Sequence, residues 1–279
     1  MFSIVLSLFT GKSLLKAING LSISWSLGPI IGPFIGGYLQ HYFNWQADFY
    51  FFGIAGLTVF LLIFFTLPET HFNLQPLHPK KIFTNIKTVI SHKIFLLVTI
   101  VSALIYTLMV VFNMIGPFIV QKVLNFSAVQ YGHMALVLGA AYFLGSTTNR
   151  ILINYIKPLH LALASTIISL IITGVMLGCS VSMPINIYIV LIPVSIIFFL
   201  GGLVIPNMAG KSSTIFPTHL GGTVSALFGS VGLLVLFVIS LFATLLKTNT
   251  SVPISGLYVS LILIVLILLG AIFKLEKNK

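Results

Sequence analysis

Acidic residues are nearly missing from this chain: its 279 residues hold three, Asp48, Glu69 and Glu276, against fourteen lysines and arginines. Charged residues of both signs make up only 6%, whereas a soluble domain exposes roughly a quarter. A water-facing surface cannot be built from so few, so a soluble globular fold is excluded. One cysteine, Cys179, lies in an apolar run and rules out a disulfide framework. Seven histidines, at 41, 71, 78, 92, 133, 160 and 219, form no i, i+4 pair, so zinc ligation is not expected. Gly-x-Ser-x-Gly, Walker and paired-cysteine signatures are missing too, and no enzyme chemistry is expected.

What is present is hydrophobic: 58% of residues, with a mean hydropathy of +1.15. A bilayer core of about 30 Å takes roughly 20 apolar residues of helix. Eight segments qualify, near 21–39, 48–67, 94–117, 129–149, 159–180, 185–206, 220–246 and 254–273. They are long and continuous and lack the polar alternation of barrel strands, so the expected fold is an all-α membrane bundle. The net charge of +11 does not point to nucleic acid, because the basic residues sit in short connections and form no stripe interleaved with stacking aromatics.

Those connections sort by charge. Lys12, Lys16, Lys80, Lys81, Lys87, Lys93, Arg150, Lys157, Lys211, Lys274, Lys277 and Lys279 fall on one side of the eight spans, Lys122 and Lys247 on the other. The basic side is expected to be cytoplasmic, with both termini there. The connection 68–93 reads as a cytoplasmic linker, and its segment KIFTNIKTVISHK fits a short amphipathic helix on the membrane surface. Two complete spans precede it and six follow. MFSIVLSLFTGK is too short to cross a bilayer and reads as the end of a span whose start is absent.

The stretch GPIIGPFIGGYL, 28–39, puts two prolines and four glycines in a spanning segment. Followed by FNWQADFYFFGIAG and LPET, it resembles the fifth and sixth helices of major facilitator superfamily drug:proton antiporters, more narrowly the bacterial Bcr/CflA multidrug-resistance subfamily. GPFIVQKVLNFSAVQYG at 116–132, GSTTNRIL at 145–152, IPNMAGKSS at 205–213 and GGTVSALFGS at 221–230 resemble its seventh, eighth, tenth and eleventh helices in order. The resemblance implies a twelve-helix fold represented here by the tail of the fourth helix and helices five to twelve. Residues 1–67 would be the remnant of the first half, 68–93 the linker and 94–279 the second half. It also implies proton-coupled export of small amphipathic compounds across a bacterial inner membrane, with no cofactor and the proton as coupling ion.

Gly28, Gly32 and Gly36 recur every four residues and make a smooth strip for close helix approach, joined by Gly37. Pro29 and Pro33 remove backbone donors and bend or stiffen the same helix. In the resembled antiporters this motif lies where the two halves meet and limits leak. A facing strip is expected from Gly132, Ala135, Gly139 and Gly145, with Gly32 opposite Gly139. Tyr106, Asn113 and Asn207, beside breaks at Gly116-Pro117 and Pro206, are candidates for a cavity lining; packing between helices is the equal alternative. Arg150 is either a cytoplasmic loop anchor for topology or a partner for helix C-terminal carbonyls or lipid phosphate. His133, the histidine singled out among the seven, opens a span, and an interfacial position accounts for it equally well. The family's coupling acids lie in helices one and four, outside this chain. A non-transporting remnant or assembly partner is therefore the rival expectation, and a metabolite or sugar uptake permease a lesser one.

Overall fold

In a computed structural model of the protein, the residues described are Val5, Phe9, 11–66, 78–217, 220–246 and 250–277. The side chains at 11, 12, 15, 19, 22–27, 29 and 30 lie outside that description, Pro29 among them. So do Glu69, His71, His219, Lys247, Lys279 and the first ten residues of the expected linker.

The described residues form helices α1 (Gly11–Tyr42), α2 (Gln46–Thr66), α3 (Pro79–Ile90), α4 (Lys93–Pro117), α5 (Ala128–Leu152), α6 (Pro158–Ser182), α7 (Ile187–Thr214), α8 (Gly221–Ala243) and α9 (Val252–Lys277). A π-helical turn, Phe118–Val123, prolongs α4 beyond Pro117. Each expected span falls on one of these helices. Six of them (α2, α4 with its π-turn, and α6 to α9) are long and apolar enough to cross a membrane on composition and length. At 1.5 Å per residue the 32 residues of α1 and the 25 of α5 are also long enough. These two carry more glycine and polar residues, and they pack on each other. A helix needs apolar side chains only where it meets lipid, so a helix facing another can be less apolar.

Local chemistry sets several helix starts. Ser127 and Gln130 form a capping box before α5, the Ser127 Oγ accepting from the Gln130 N–H at 3.2 Å and Gln130 Oε1 from the Ser127 N–H at 2.8 Å. Asn186 accepts from the Tyr188 N–H at 3.0 Å and opens α7. His92 Nδ1 accepts from the Phe95 N–H at 3.3 Å and opens α4. That cap corrects the expected amphipathic helix, which stops at Ile90 rather than continuing through Lys93. Its Val89 is fully buried among Phe95, Leu220 and Val224, so α3 is pinned to the bundle by one apolar side chain.

The core lies between α4, α6, α7 and α9, and α4 is the most enclosed span, 72% buried. Lipid tails are as apolar as leucine, so the bundle is held by close packing and buried hydrogen bonds rather than by escape from water. Two such bonds tie α9 inward: Tyr258 Oη donates to the Leu108 carbonyl at 2.5 Å, and the Ser180 and Ser255 hydroxyls meet at 2.9 Å. By contrast α2 has no buried residue.

Candidate functional site

The glycine-proline stretch lies in the C-terminal half of α1, which runs antiparallel to α5. The two backbones touch at two places. A Cβ on Gly37 would sit 2.9 Å from the Ala128 carbonyl oxygen and 3.4 Å from Val129 Cα. A Cβ on Gly132 would sit 3.0 Å from the Pro33 carbonyl oxygen and 3.3 Å from Phe34 Cα. Only glycine permits both approaches without displacing main chain. Gly36 faces the first turn of α2, where Asp48 Oδ1 would lie 3.4 Å from an added Cβ.

Toward the N-terminus of α1 the geometry changes. Around Gly28 and Gly32 nothing among the described residues lies within 4 Å of an added Cβ. Further back, Leu14 and Ile18 are buried against Ala209 of α7. The helix thus meets α5 around Pro33 and Gly37 and α7 at Leu14 and Ile18. Ala135 and Gly139 are buried on α5. Gly145 is a correction: its would-be Cβ falls 2.0 Å from the Phe199 carbonyl oxygen, so it faces α7 and not α1. At about 100° per residue, Gly145 lies about 220° around α5 from Gly132 and so belongs to the opposite face.

Where α1 and α5 touch, aromatic rings close the outer edge. Phe34 packs on Tyr38 at 5.1 Å and on the His133 ring at 5.7 Å. Tyr38 Oη and His133 Nε2 are 3.2 Å apart, a hydrogen bond between the two helices. His133 is therefore placed by a tyrosine from α1, a partner not identified from the sequence.

The polar candidates separate. Asn207 is 4% exposed, and its amide donates to Asn149 Oδ1 at 2.8 Å and to the Leu203 carbonyl at 2.7 Å, so it joins α7 to α5. Tyr106 is exposed and Asn113 half-buried on α4; neither is brought to Asn207 by a hydrogen bond described here. Arg150 is exposed at the last turn of α5. Asn149 and Gly202 were not anticipated. An added Cβ on Gly202 would lie 2.6 Å from Ser146 N and 2.7 Å from the Tyr142 carbonyl, and the adjacent pair Gly201-Gly202 in an apolar run was the available signal. No group of three metal-ligating side chains occurs among the described residues. Among the described residues, the α1–α5 junction is built from close main-chain approach at Gly37 and Gly132.

The sequence profile described as the Major Facilitator Superfamily matches residues 1–240. A "Bicyclomycin resistance protein homolog" of Haemophilus influenzae is 39% identical over 64 residues, 23% of this chain and 16% of that protein. An "Uncharacterized transporter" of Rickettsia felis is 24% identical over 222 residues, 76% of this chain. The chain spans 54% of that relative's length. Among solved structures, the human organic anion transporter MFSD10 (TETRAN) superposes with a TM-score of 0.62 at 18% identity, over 96% of this chain and 66% of that one.

Proposed function

Since the chain belongs to the Major Facilitator Superfamily, we propose that this membrane transporter is of the Bcr/CflA multidrug type and exports small amphipathic compounds in exchange for protons. In this reading α1 and α2 are the last two helices of the first half, α4 to α9 are the second half, and the protein lies in a bacterial inner membrane with its basic end in the cytoplasm. The short similarity to a bicyclomycin resistance protein homolog supports drugs as the substrate class.

One observation carries the mechanism. Helix α1 meets α5 backbone to backbone at Gly37 and Gly132, while no described residue lies within 4 Å of a Cβ added at Gly28 or Gly32. Smooth glycine faces, crossed by Phe34 and Tyr38 against His133, permit a change of tilt, and alternating access requires one group of helices to rock against the other. The prolines stiffen α1, so tilt at one end is carried along its length.

The test is dye and antibiotic accumulation in an efflux-deficient host, with and without a proton gradient. Expression lowers accumulation only while the gradient stands, and Gly132→Leu, which wedges the junction, abolishes the effect. Unchanged accumulation with the protein present in the membrane fraction overturns transport by this chain alone.

A second reading has its own observation. Asp48 sits in the first turn of α2, and Glu276 sits in the last turn of α9 paired with Lys211, so neither carboxylate is placed mid-span for coupling. An assembly partner that draws coupling acids from another polypeptide fits that placement. Co-expression with the first four helices of a family member then restores efflux that this chain alone lacks.

A further inference from the structure

The starts of α4 and α6 and the ends of α7 and α9 gather at one end of the bundle. A cavity of about 920 Å³ opens there between α6, α7 and α9, away from the α1–α5 junction. Its lining holds Lys157, Lys211, Lys274 and Lys277 against the lone acid Glu276, a net charge of +3 with His160 neutral. Lys211 is paired with Glu276, which leaves Lys157, Lys274 and Lys277 as the cationic rim. Positive charge sorted for topology needs only to lie in the right loops. Here residues separated by more than a hundred positions converge on one cavity.

Two further features bear on what would enter it. α6 begins at this wall, with Lys157 as its N-cap residue and Pro158 in its first turn, so the positive end of the helix points into the same space. The lining also holds apolar side chains, Leu159 and Phe273, the latter's ring taking the His160 imidazole edge-on at 5.2 Å. Cations and apolar side chains in one lining match a molecule with an anionic head and a hydrocarbon tail.

We infer that this cavity binds the phosphate group of an anionic amphiphile, with Lys157, Lys274 and Lys277 holding the phosphate and Leu159 and Phe273 lining the path of the tail. A phospholipid headgroup and a soluble phosphate ester share the phosphate chemistry; the apolar side chains fit the lipid. The inference rests on membrane embedding and is independent of what the protein transports.

The test uses the full chain purified in detergent, with retention of added lipid read by native mass spectrometry. The probes are phosphatidylglycerol, phosphatidylcholine with the same acyl chains, and glycerol 3-phosphate. The variants are Lys157→Gln/Lys274→Gln/Lys277→Gln, the same three positions changed to Arg, and Lys80→Gln/Lys81→Gln/Lys87→Gln on α3 as a charge-matched control. Phosphatidylglycerol is retained in preference to phosphatidylcholine, and the cavity Gln variant weakens it by about tenfold or more. The Arg variant and the α3 control keep it. Retention of phosphatidylglycerol but not glycerol 3-phosphate supports the lipid as source; lysine-dependent binding of both supports a phosphate site open to soluble esters. Equal loss in the cavity and α3 Gln variants, or equal retention of the zwitterionic lipid, overturns the site. If the Gln variant does not fold, loss of lipid preference in the folded Arg variant overturns it as well.

Discussion

Helix α5 has two glycine-bearing faces, and they are built differently. Toward α7, Gly145 and Gly202 bring the main chains so near that an added Cβ would lie 2.0 Å from Phe199 O and 2.6 Å from Ser146 N, and Asn207 bonds Asn149 across the same seam. Toward α1 the closest such distances are 2.9 and 3.0 Å, and beyond Gly132 the described neighbours of Gly28 and Gly32 fall away. The same small residue serves a seam crossed by a buried hydrogen bond on one side and a contact edged by Tyr38 and His133 on the other. The hydrogen bond makes the distinction physical: sliding α7 along α5 strands a buried amide, whereas α1 is tied to α5 here by the Tyr38–His133 bond at the edge.

The contrast is broken most severely by Gly145→Ala. Its methyl group cannot fit beside Phe199 O without parting the helices, and a loss of about 3 kcal/mol or more is expected. Fluorescence-detected gel filtration would show little folded protein. Next comes Gly37→Ala with Gly132→Ala, where the neighbours must yield a few tenths of an ångström. A loss of about 1–3 kcal/mol should appear as a lower melting temperature with the folded peak retained. Asn207→Ala removes the seam's hydrogen bond and leaves Asn149 Oδ1 short of a donor; about 1 kcal/mol is expected by thermal denaturation. Smallest is Gly28→Ala or Gly32→Ala, expected to change stability by less than about 0.5 kcal/mol. If these last two destabilise as much as Gly37→Ala, the two faces of α5 do not differ as described.

Much of the architecture could be read in advance because lipid imposes one rule on every span. Runs such as 185–206 and 254–273 became α7 and α9 for that reason. Spacing by three and four puts Gly132, Ala135 and Gly139 on one face of α5, and of these Gly132 is the one brought against the α1 main chain among the described contacts. Spacing along one helix says that a face is smooth; it does not say which neighbour meets it. Gly145, about 220° around α5 from Gly132, is on the opposite face, and that the neighbour there is Phe199 of α7 is a fact about two separate helices. Tyr258 bonding the Leu108 carbonyl was illegible for the same reason, since a main-chain acceptor carries no side-chain signature. Asn207 had two readings and both hold: its amide bonds Asn149, and the residue also lines the cavity between α6, α7 and α9.

Helix α2 shows what a span looks like with little to hold it. It is joined to α1 through Phe43, Asn44 and Trp45, approaches it at Gly36, and has no buried side chain over 21 residues. Its azimuth about its own axis is accordingly set by a short tether and not by neighbours, so spin labels stepped along Phe49, Phe52, Phe60 and Phe64 should collide with oxygen dissolved in the bilayer equally well at every heading.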